Sequence, residues 1–242
     1  MAIQKFIRGT AFGVIGAAAL ATGIGAGTAS AAVAETCTGT LTGTYPAIVV
    51  PDGETCTLDG AQVKGNVKVG IGSTLMTADA MIKGNVFGQQ AMRVHIIDTD
   101  VWGQIHFRRT AKEIIIGNDG CKVDPNAGGN INLQNNYGPI GICQMTIKNN
   151  IILHNNHNRI GVFDNRVGNN IEVMSNTSAA IRLRDNTMKG GLLIKGNTVA
   201  KVLNVSTNTI GGNANCTMNL VAPIGSGNTA GGALSGQCAG LG

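Results

Sequence analysis

Residues 175–198 read SNTSAAIRLRDNTMKGGLLIKGNT, and the pattern in this stretch decides the fold. Its three asparagines, Asn176, Asn186 and Asn197, are each followed by threonine and stand 10 and 11 residues apart. Short apolar pieces lie between them, at 181–183 and 192–194, and apolar and polar residues alternate in the first. A period of two predicts short β-strands with one buried face, which here are separated by asparagine-bearing turns.

One phrase of seven residues returns along the whole chain. VKGNVKV (63–69) reappears as IKGNVFG (82–88), VWGQIHF (101–107), AGGNINL (127–133), IKNNIIL (147–153) and VGNNIEV (167–173), with looser copies in MKGGLLI (188–194) and IGGNANC (210–216). The apolar residue after the Gly/Asn pair forms a first column, with steps of 19, 19, 26, 20, 20, 21 and 22 residues: Val67, Val86, Ile105, Ile131, Ile151, Ile171, Leu192 and Ala214. A second apolar column has similar steps: Leu75, Val94, Ile114, Ile140, Ile160, Ile181 and Leu203.

Such a repeat indicates a solenoid, because each coil of a solenoid buries its apolar face only against the next coil. A β-sandwich has no reason to repeat one phrase at this interval. We therefore predict an all-β chain, folded as a parallel β-helix solenoid of about eight coils of 19–22 residues. The chirality of parallel crossovers makes it right-handed.

The asparagines keep a fixed place in this repeat. Asn tolerates left-handed backbone angles, and its amide both donates and accepts hydrogen bonds. Like turns stacked coil on coil therefore predict asparagine ladders. Five members follow the first column by five residues, and three follow the second by five: Asn136, Asn156, Asn176, Asn197 and Asn219, then Asn165, Asn186 and Asn208.

The N-terminus predicts a secretory signal peptide over residues 1–34. Lys5 and Arg8 precede the apolar stretch 11–27, and small-residue cleavage sites follow at 29–31 and 32–34. A membrane anchor is the alternative. We expect a β-helix domain over 35–225, then a Gly-rich tail or cap over 226–242 that is pinned by Cys238, in a secreted protein that is free of the membrane after cleavage.

The charge excess is small. Without Lys5 and Arg8, 16 basic side chains face 13 acidic ones. Because the basic residues are also scattered, the sequence predicts no nucleic-acid partner.

The cysteines predict disulfides between neighbouring coils. All six follow the signal peptide, and an even number indicates an oxidising compartment. No CxxC or CxxH pair is present, which argues against zinc. One pair is 19 residues apart and two are 22 apart, which is about one coil. The predicted bonds are Cys37–Cys56, Cys121–Cys143 and Cys216–Cys238.

One polar column offers candidate chemistry. It stands just before the Asn or Thr of the second turn and holds Asp98, Gln144, Asp164 and Asp185. Asp164 and Asp185, with Arg182 and Arg184 nearby, are candidate catalytic residues, because paired carboxylates hydrolyse glycosides and cations neutralise uronates in a lyase. The same carboxylates are candidates for Ca²⁺, with no other cofactor or metal expected. Asp before Asn is also ordinary turn chemistry.

A second set of residues is a candidate ligand-binding site. Trp102 takes a position held elsewhere by Lys or Gly, which predicts an exposed ring for stacking on a sugar. His106, Arg108 and Arg109 stand one coil before the six-residue insertion near 121–126. That insertion is either the rim of a binding cleft or a surface loop tied down by a disulfide.

On the repeat and the ladders, residues 37–225 resemble the right-handed parallel β-helix family that includes pectate lyases, and especially small secreted bacterial β-helix proteins. The GNV phrase also resembles bactofilins, which are polymer-forming β-helices, but their lack of disulfides argues against membership. No catalytic motif matches residue by residue.

Three functions therefore remain open. The first is a secreted non-catalytic scaffold that serves as a surface, adhesive or carbohydrate-binding protein, with a polysaccharide or cell-surface glycan as partner. The second is a polysaccharide lyase or glycoside hydrolase acting on an acidic polysaccharide. The third is a structural solenoid that self-associates through its coil ends.

Overall fold

The chain folds into a parallel β-solenoid in a computed structural model that describes residues 33–118 and 125–242. Every regular element in those two ranges is a β-strand, and within them there is no helix that could cross a membrane. The strands form three parallel sheets, which we name A, B and C and which the chain enters in turn on each coil. The predicted all-β solenoid is confirmed. Residues 1–32 of the predicted signal peptide lie outside the described residues.

The strands of each sheet stack in the order in which they occur along the chain. Sheet A contains Glu35–Thr36, Ile48–Val50, Val67–Val69, Val86–Gln89, Ile105–Arg108, Ile131–Gln134, Ile151–His154, Ile171–Met174, Leu192–Lys195, Ala214–Thr217 and Leu234–Gly236. Sheet B contains Thr40–Leu41, Thr55–Asp59, Thr74–Ala78, Arg93–Ile97, Ile114–Gly117, Ile140–Cys143, Ile160–Phe163, Thr177–Arg184 and Thr198–Ser206. Sheet C contains Thr44–Tyr45, Gln62–Val63, Met81–Ile82, Asp100–Val101, Asn126–Ala127, Thr146–Ile147, Arg166–Val167, Thr187–Met188, Thr209–Ile210 and Thr229–Ala230.

Both apolar columns predicted from the repeat are confirmed. In sheet A, Val67 pairs with Val86, and each later member pairs with the next as far as Ala214. In sheet B the same unbroken pairing runs from Leu75 to Leu203. All of these side chains are buried, so the residues that alternate with them are turned to the outside.

Sheet C supplies a third wall of the core. Its strands are two residues long in every coil, and the second residue of most of them points inward. The buried members are Val63, Ile82, Val101, Ala127, Ile147, Val167, Met188 and Ile210. Three sheets therefore enclose one apolar core that runs the length of the solenoid.

The solenoid has about ten turns, so the predicted count of about eight coils is wrong. Sheet A already contains Glu35–Thr36 and Ile48–Val50 before the repeated phrase begins, and Leu234–Gly236 after it ends. These coils lack the Gly/Asn pair from which the number of coils was predicted, but they bury the same inward positions, for example Ile48. The right-handed sense stays a prediction.

The two terminal disulfides are confirmed. Cys37 bonds to Cys56 with a Cα–Cα distance of 5.3 Å, and Cys216 bonds to Cys238 with 5.0 Å. Both distances match the separation of neighbouring coils, as the equal spacing in sequence requires. Cys121 lies outside the described residues, so the middle pairing stays a prediction.

The Gly-rich C-terminal segment forms the last rung of the solenoid. Thr229–Ala230 pairs with the preceding strand of sheet C, and Leu234–Gly236 pairs with that of sheet A. Leu241 then turns back over the end of the core and is buried. The segment that was expected as a tail or cap thus combines paired strands with a short closing turn.

Both predicted asparagine ladders are confirmed. In each rung, the backbone N–H and the side-chain Nδ2 of one asparagine donate to the Oδ1 of the asparagine one coil later, at 2.8–3.1 Å in the first ladder. That ladder runs from Asn136 to Asn219, whose amide donates to Gln237. The second runs from Asn165 through Asn208 and adds Asn228, which donates to the carbonyl of Leu241 at 2.7 Å.

A third row of asparagines, which was not predicted, lines the corner between sheets C and A. Here the backbone N–H of each asparagine donates to the Oδ1 of the asparagine one coil earlier. The direction of the hydrogen bonds is therefore the reverse of that in the two buried ladders. The bonds join Asn66 to Asn85 at 2.8 Å, and Asn130, Asn150 and Asn170 in series at 3.0–3.1 Å.

Candidate functional site

One coil presents three of the predicted ligand-binding residues together on its outer surface. Trp102 stands at the corner between sheets C and A, and His106 and Arg108 follow on the strand Ile105–Arg108. His106 and Arg108 share a side because alternate residues of a strand face the same way, while Phe107 between them points into the core and is fully buried. We name the outer surface around these residues the Trp102 face.

The preceding coil places an aromatic ring in the middle of this face. Phe87 pairs with His106 on one side and with Lys68 on the other, and its side chain is half-buried on the outer surface. The next residue, Gly88, points inward, where a Cβ atom would lie 3.0 Å from Cε1 of Phe107. The same Cβ would lie 2.9 Å from the carbonyl oxygen of Val69, so Gly88 leaves room both for Phe107 and for the backbone of the preceding coil.

Two adjoining depressions occupy the Trp102 face. The larger, of about 470 Å³, is lined in part by Lys68, Phe87, His106 and Arg108. The smaller, of about 300 Å³, lies toward the Trp102 corner and is lined by Asn85, Phe87, Gln104 and His106. Because Phe87 and His106 line both, the two depressions lie side by side on sheet A, and together we name them the groove.

The groove is basic. Lys68 and Arg108 are exposed in it, and Asp52 is the carboxylate at its margin. The Oδ1 of Asp52 accepts a hydrogen bond from the backbone N–H of Ile71 at 2.7 Å, so this carboxylate oxygen already has a partner in the turn. Burial lowers the pKa of His106 below its usual range, and the positive charge of Arg108 lowers it further.

The Trp102 ring is exposed at the corner and contacts a lysine of the preceding coil. It is 54% exposed, and the Nζ of Lys83 in the preceding coil lies 5.2 Å from its centroid, a cation–π contact. A large amphipathic ring that is exposed at a fixed place in a rigid solenoid suits stacking against a sugar ring. The nearby cations and amides can bind carboxylate and hydroxyl groups.

Arg109, the fourth predicted ligand-binding residue, has a structural task. Its backbone takes a left-handed conformation with φ of 56°, which turns the chain from sheet A toward sheet B. Its side chain is exposed, but it departs from the corner and not from the row that contains His106 and Arg108. The structure therefore separates it from the Trp102 face.

The second predicted set, the candidate catalytic residues, lies on another side of the solenoid. Arg182 and Arg184 project outward from sheet B, and the guanidinium of Arg184 lies 5.3 Å from the ring centroid of Phe163. Asp164 and Asp185 occupy the corner between sheets B and C, both with φ of 59°.

This corner position explains the polar column. Non-glycine residues with positive φ stand directly before the ladder asparagines, and Asp and Asn are the residues that tolerate this region best. Asp185 also accepts a hydrogen bond from the hydroxyl of Thr207. The geometry gives each of the two carboxylates, Asp164 and Asp185, a turn-forming role. Among the residues that the structure describes, no three His, Cys, Asp or Glu side chains are grouped so as to hold a metal ion.

Sequence reasoning missed Phe87, because its place beside His106 follows only from the register of neighbouring coils. It also missed a basic depression on sheet C, formed around Lys148, Arg166 and Lys189. The signal for this depression was present, since Lys recurs at the second position of the repeated phrase in VKGN, IKGN, IKNN and MKGG.

When the chain is compared with protein-family models, with curated proteins and with solved structures, none of them matches it. The fold and the geometry described above are therefore the basis for any statement of function.

Proposed function

We propose that this protein is a secreted, non-catalytic β-solenoid that binds a polysaccharide through its Trp102 face. The observation that carries the proposal is the row formed by Trp102, His106 and Arg108 on one coil, with Phe87 beside it. It combines an exposed aromatic ring, a groove and fixed cations on a rigid sheet. Those are the elements that recognise a sugar ring and its carboxylate or hydroxyl groups.

Two further features support this proposal. The terminal disulfides are typical of proteins that fold in an oxidising compartment, which fits a secreted protein. The carboxylates that would be needed for hydrolysis, Asp164 and Asp185, are placed as corner residues. A scaffold whose corners are committed to stacking its coils can still present a binding surface on its flat sides.

The test is binding of the purified, oxidised mature protein to polygalacturonate and to neutral polysaccharides, measured by calorimetry. We expect Trp102→Ala to weaken binding about tenfold, which corresponds to about 1.4 kcal/mol. The matched control is Tyr137→Ala, because Tyr137 is also an exposed aromatic residue, at 52%, but it stacks on His157 away from this face.

Absorbance of unsaturated uronates is followed in the same samples, with and without Ca²⁺. Equal affinities of the Trp102→Ala and Tyr137→Ala variants would refute the assignment of the site. Turnover that disappears in Asp164→Ala or Arg182→Ala would refute the non-catalytic function and identify a lyase.

A further inference from the structure

A second depression lies on sheet C and is separated from the groove on sheet A by the corner at which Trp102 stands. It measures about 550 Å³ and extends over four coils. Its charged lining consists of Lys148, Arg166 and Lys189, one from each of three successive coils. We name this depression the sheet C trough.

Glycine shapes the trough. Lys148 and Lys189 hold the same corner position two coils apart, and Gly168 holds it in the coil between. A Cβ atom at Gly168 would lie 2.0 Å from the carbonyl oxygen of Lys148, so no side chain fits there. A notch therefore separates the two lysines, and their methylene stems border it on either side.

The floor of the trough suits the body of a sugar. Thr146 and Thr187 present hydroxyl and methyl groups at its base, in line with Arg166 on the outward side of sheet C. Hydroxyls provide donors and acceptors for sugar hydroxyl groups, while the methyl groups and lysine stems provide apolar contact.

The cations repeat with the coil. Parallel strands lie about 4.8 Å apart, so Lys148 and Lys189 are about 10 Å apart along the axis, with Arg166 between them. Among the described residues that line the trough there is no carboxylate. Asp164 and Asp185 stand at the neighbouring corner, two residues before Arg166 and Thr187, and they reduce the positive potential there without closing the trough.

We propose that the sheet C trough is a second binding site, which takes the anionic groups of a linear acidic polysaccharide running along the solenoid axis. A chain with regularly spaced sulfate or carboxylate groups meets one cation per coil, and its sugar rings rest on the threonines and lysine stems. The site shares no residue with the groove on sheet A, although its corner row continues from Gly128 to Trp102 in the preceding coil.

The first probe is dextran sulfate, and uncharged dextran is its matched ligand control. The variant Lys148→Gln/Arg166→Gln/Lys189→Gln is expected to bind dextran sulfate about tenfold more weakly at about 0.15 M ionic strength, because each exposed ion pair contributes a few-fold. The matched protein control is Lys112→Gln/Arg159→Gln/Lys201→Gln. It removes the same charges from the corner between sheets A and B and from sheet B, where all three side chains are exposed.

A second readout locates the ligand directly. Dextran sulfate should protect Lys148 and Lys189 from acetylation several-fold, while Lys201 is modified at the same rate with and without it. A double change of Asp164→Asn and Asp185→Asn should strengthen binding a few-fold, since it removes two negative charges. Asn fits this backbone, because Asn135 and Asn155 have φ of 56° and 54° at the equivalent corner between sheets A and B.

Equal affinity of the two triple variants, or equal acetylation of Lys148 and Lys201 in the complex, would overturn the trough site. Tighter binding of duplex DNA than of dextran sulfate would also overturn it. Polygalacturonate distinguishes carboxylate from sulfate as the preferred anion. The proposal for the Trp102 face would fail separately. In that case Trp102→Ala would leave the affinity for every polysaccharide unchanged, while the triple variant of the trough would still bind dextran sulfate more weakly.

Discussion

Asn176 is the residue whose loss should damage the solenoid most clearly. It is fully buried in the middle of the first ladder. Its Nδ2 donates to the carbonyl of Leu153 at 2.9 Å and to Oδ1 of Asn197 at 2.9 Å. Its Oδ1 accepts from the backbone N–H of Asn156 at 2.8 Å and from Nδ2 of Asn156 at 3.0 Å. We consider the substitution Asn176→Ala.

The loss of folding stability in Asn176→Ala can be estimated from the groups that lose a hydrogen-bond partner. The backbone N–H of Asn156 loses its acceptor inside the corner, and a buried donor without a partner costs about 1–3 kcal/mol. The carbonyl of Leu153 and Oδ1 of Asn197 each lose one hydrogen bond, at about 0.5–1.5 kcal/mol apiece. Nδ2 of Asn156 keeps its bond to the carbonyl of Leu133, so it adds little. The expected loss of stability is about 2–6 kcal/mol.

The control is Asn66→Ala in the exposed row between sheets C and A. Oδ1 of Asn66 accepts the N–H of Asn85 at 2.8 Å, and water can replace it there. That change should cost less than about 1 kcal/mol. Urea unfolding of the oxidised proteins gives the comparison, and amide exchange at Asn156 gives the local effect, since solenoids unfold in parts. If the two variants lose the same stability, the ladder is not a source of stability and this reasoning fails.

Three further predictions concern the packing of the core, the C-terminal disulfide and the titration of His106. Gly88→Ala should cost about 1–3 kcal/mol, because the added Cβ meets the carbonyl oxygen of Val69 and the ring of Phe107, and Phe107→Leu should restore only the part due to the ring in a thermal melt of the double variant. Replacing both Cys216 and Cys238 by Ser opens a loop of about one coil and should cost about 3 kcal/mol, seen as faster amide exchange in the last coil while the first coils keep their rates. Because folding lowers the pKa of His106, the folded protein binds its proton less readily than the unfolded chain, so stability should fall as the pH drops below about 6.5. His106→Gln should flatten that part of the stability profile, and an unchanged slope would refute the assignment.

The fold was predictable where the pattern was long enough to read. The columns that begin at Val67 and Leu75 alternate over three or more residues, and their pairing follows the predicted register. Sheet C was not predicted as a separate sheet, because its strands have only two residues and two residues cannot show an alternation. The terminal coils escaped the count because a strand such as Ile48–Val50 keeps the inward positions without the Gly/Asn pair that marks the other coils.

The candidate site was predictable only in part. His106 and Arg108 stand two residues apart on one strand, so the sequence places them on one side, whereas the position of Trp102 depends on the corner that precedes this strand. Their relation to Phe87 depends on contacts between coils, which can be inferred only once the register is known. Arg109 cannot be distinguished from Arg108 by residue type, because what separates them is a positive φ at the corner.

The ladders give the coils interchangeable boundaries. In the two buried ladders, every internal asparagine donates its amide to the coil after it and accepts with its oxygen from the coil before it, so the two edges of such a coil are complementary. A duplication or deletion of one whole coil in the gene would therefore leave no ladder amide without a partner among the described coils. The C-terminal end cannot be copied in this way, because Gln237 and Leu241 end the two ladders with atoms that no other described coil supplies. Relatives of this protein should consequently differ in length by whole coils of the laddered region, which precedes a fixed C-terminal end.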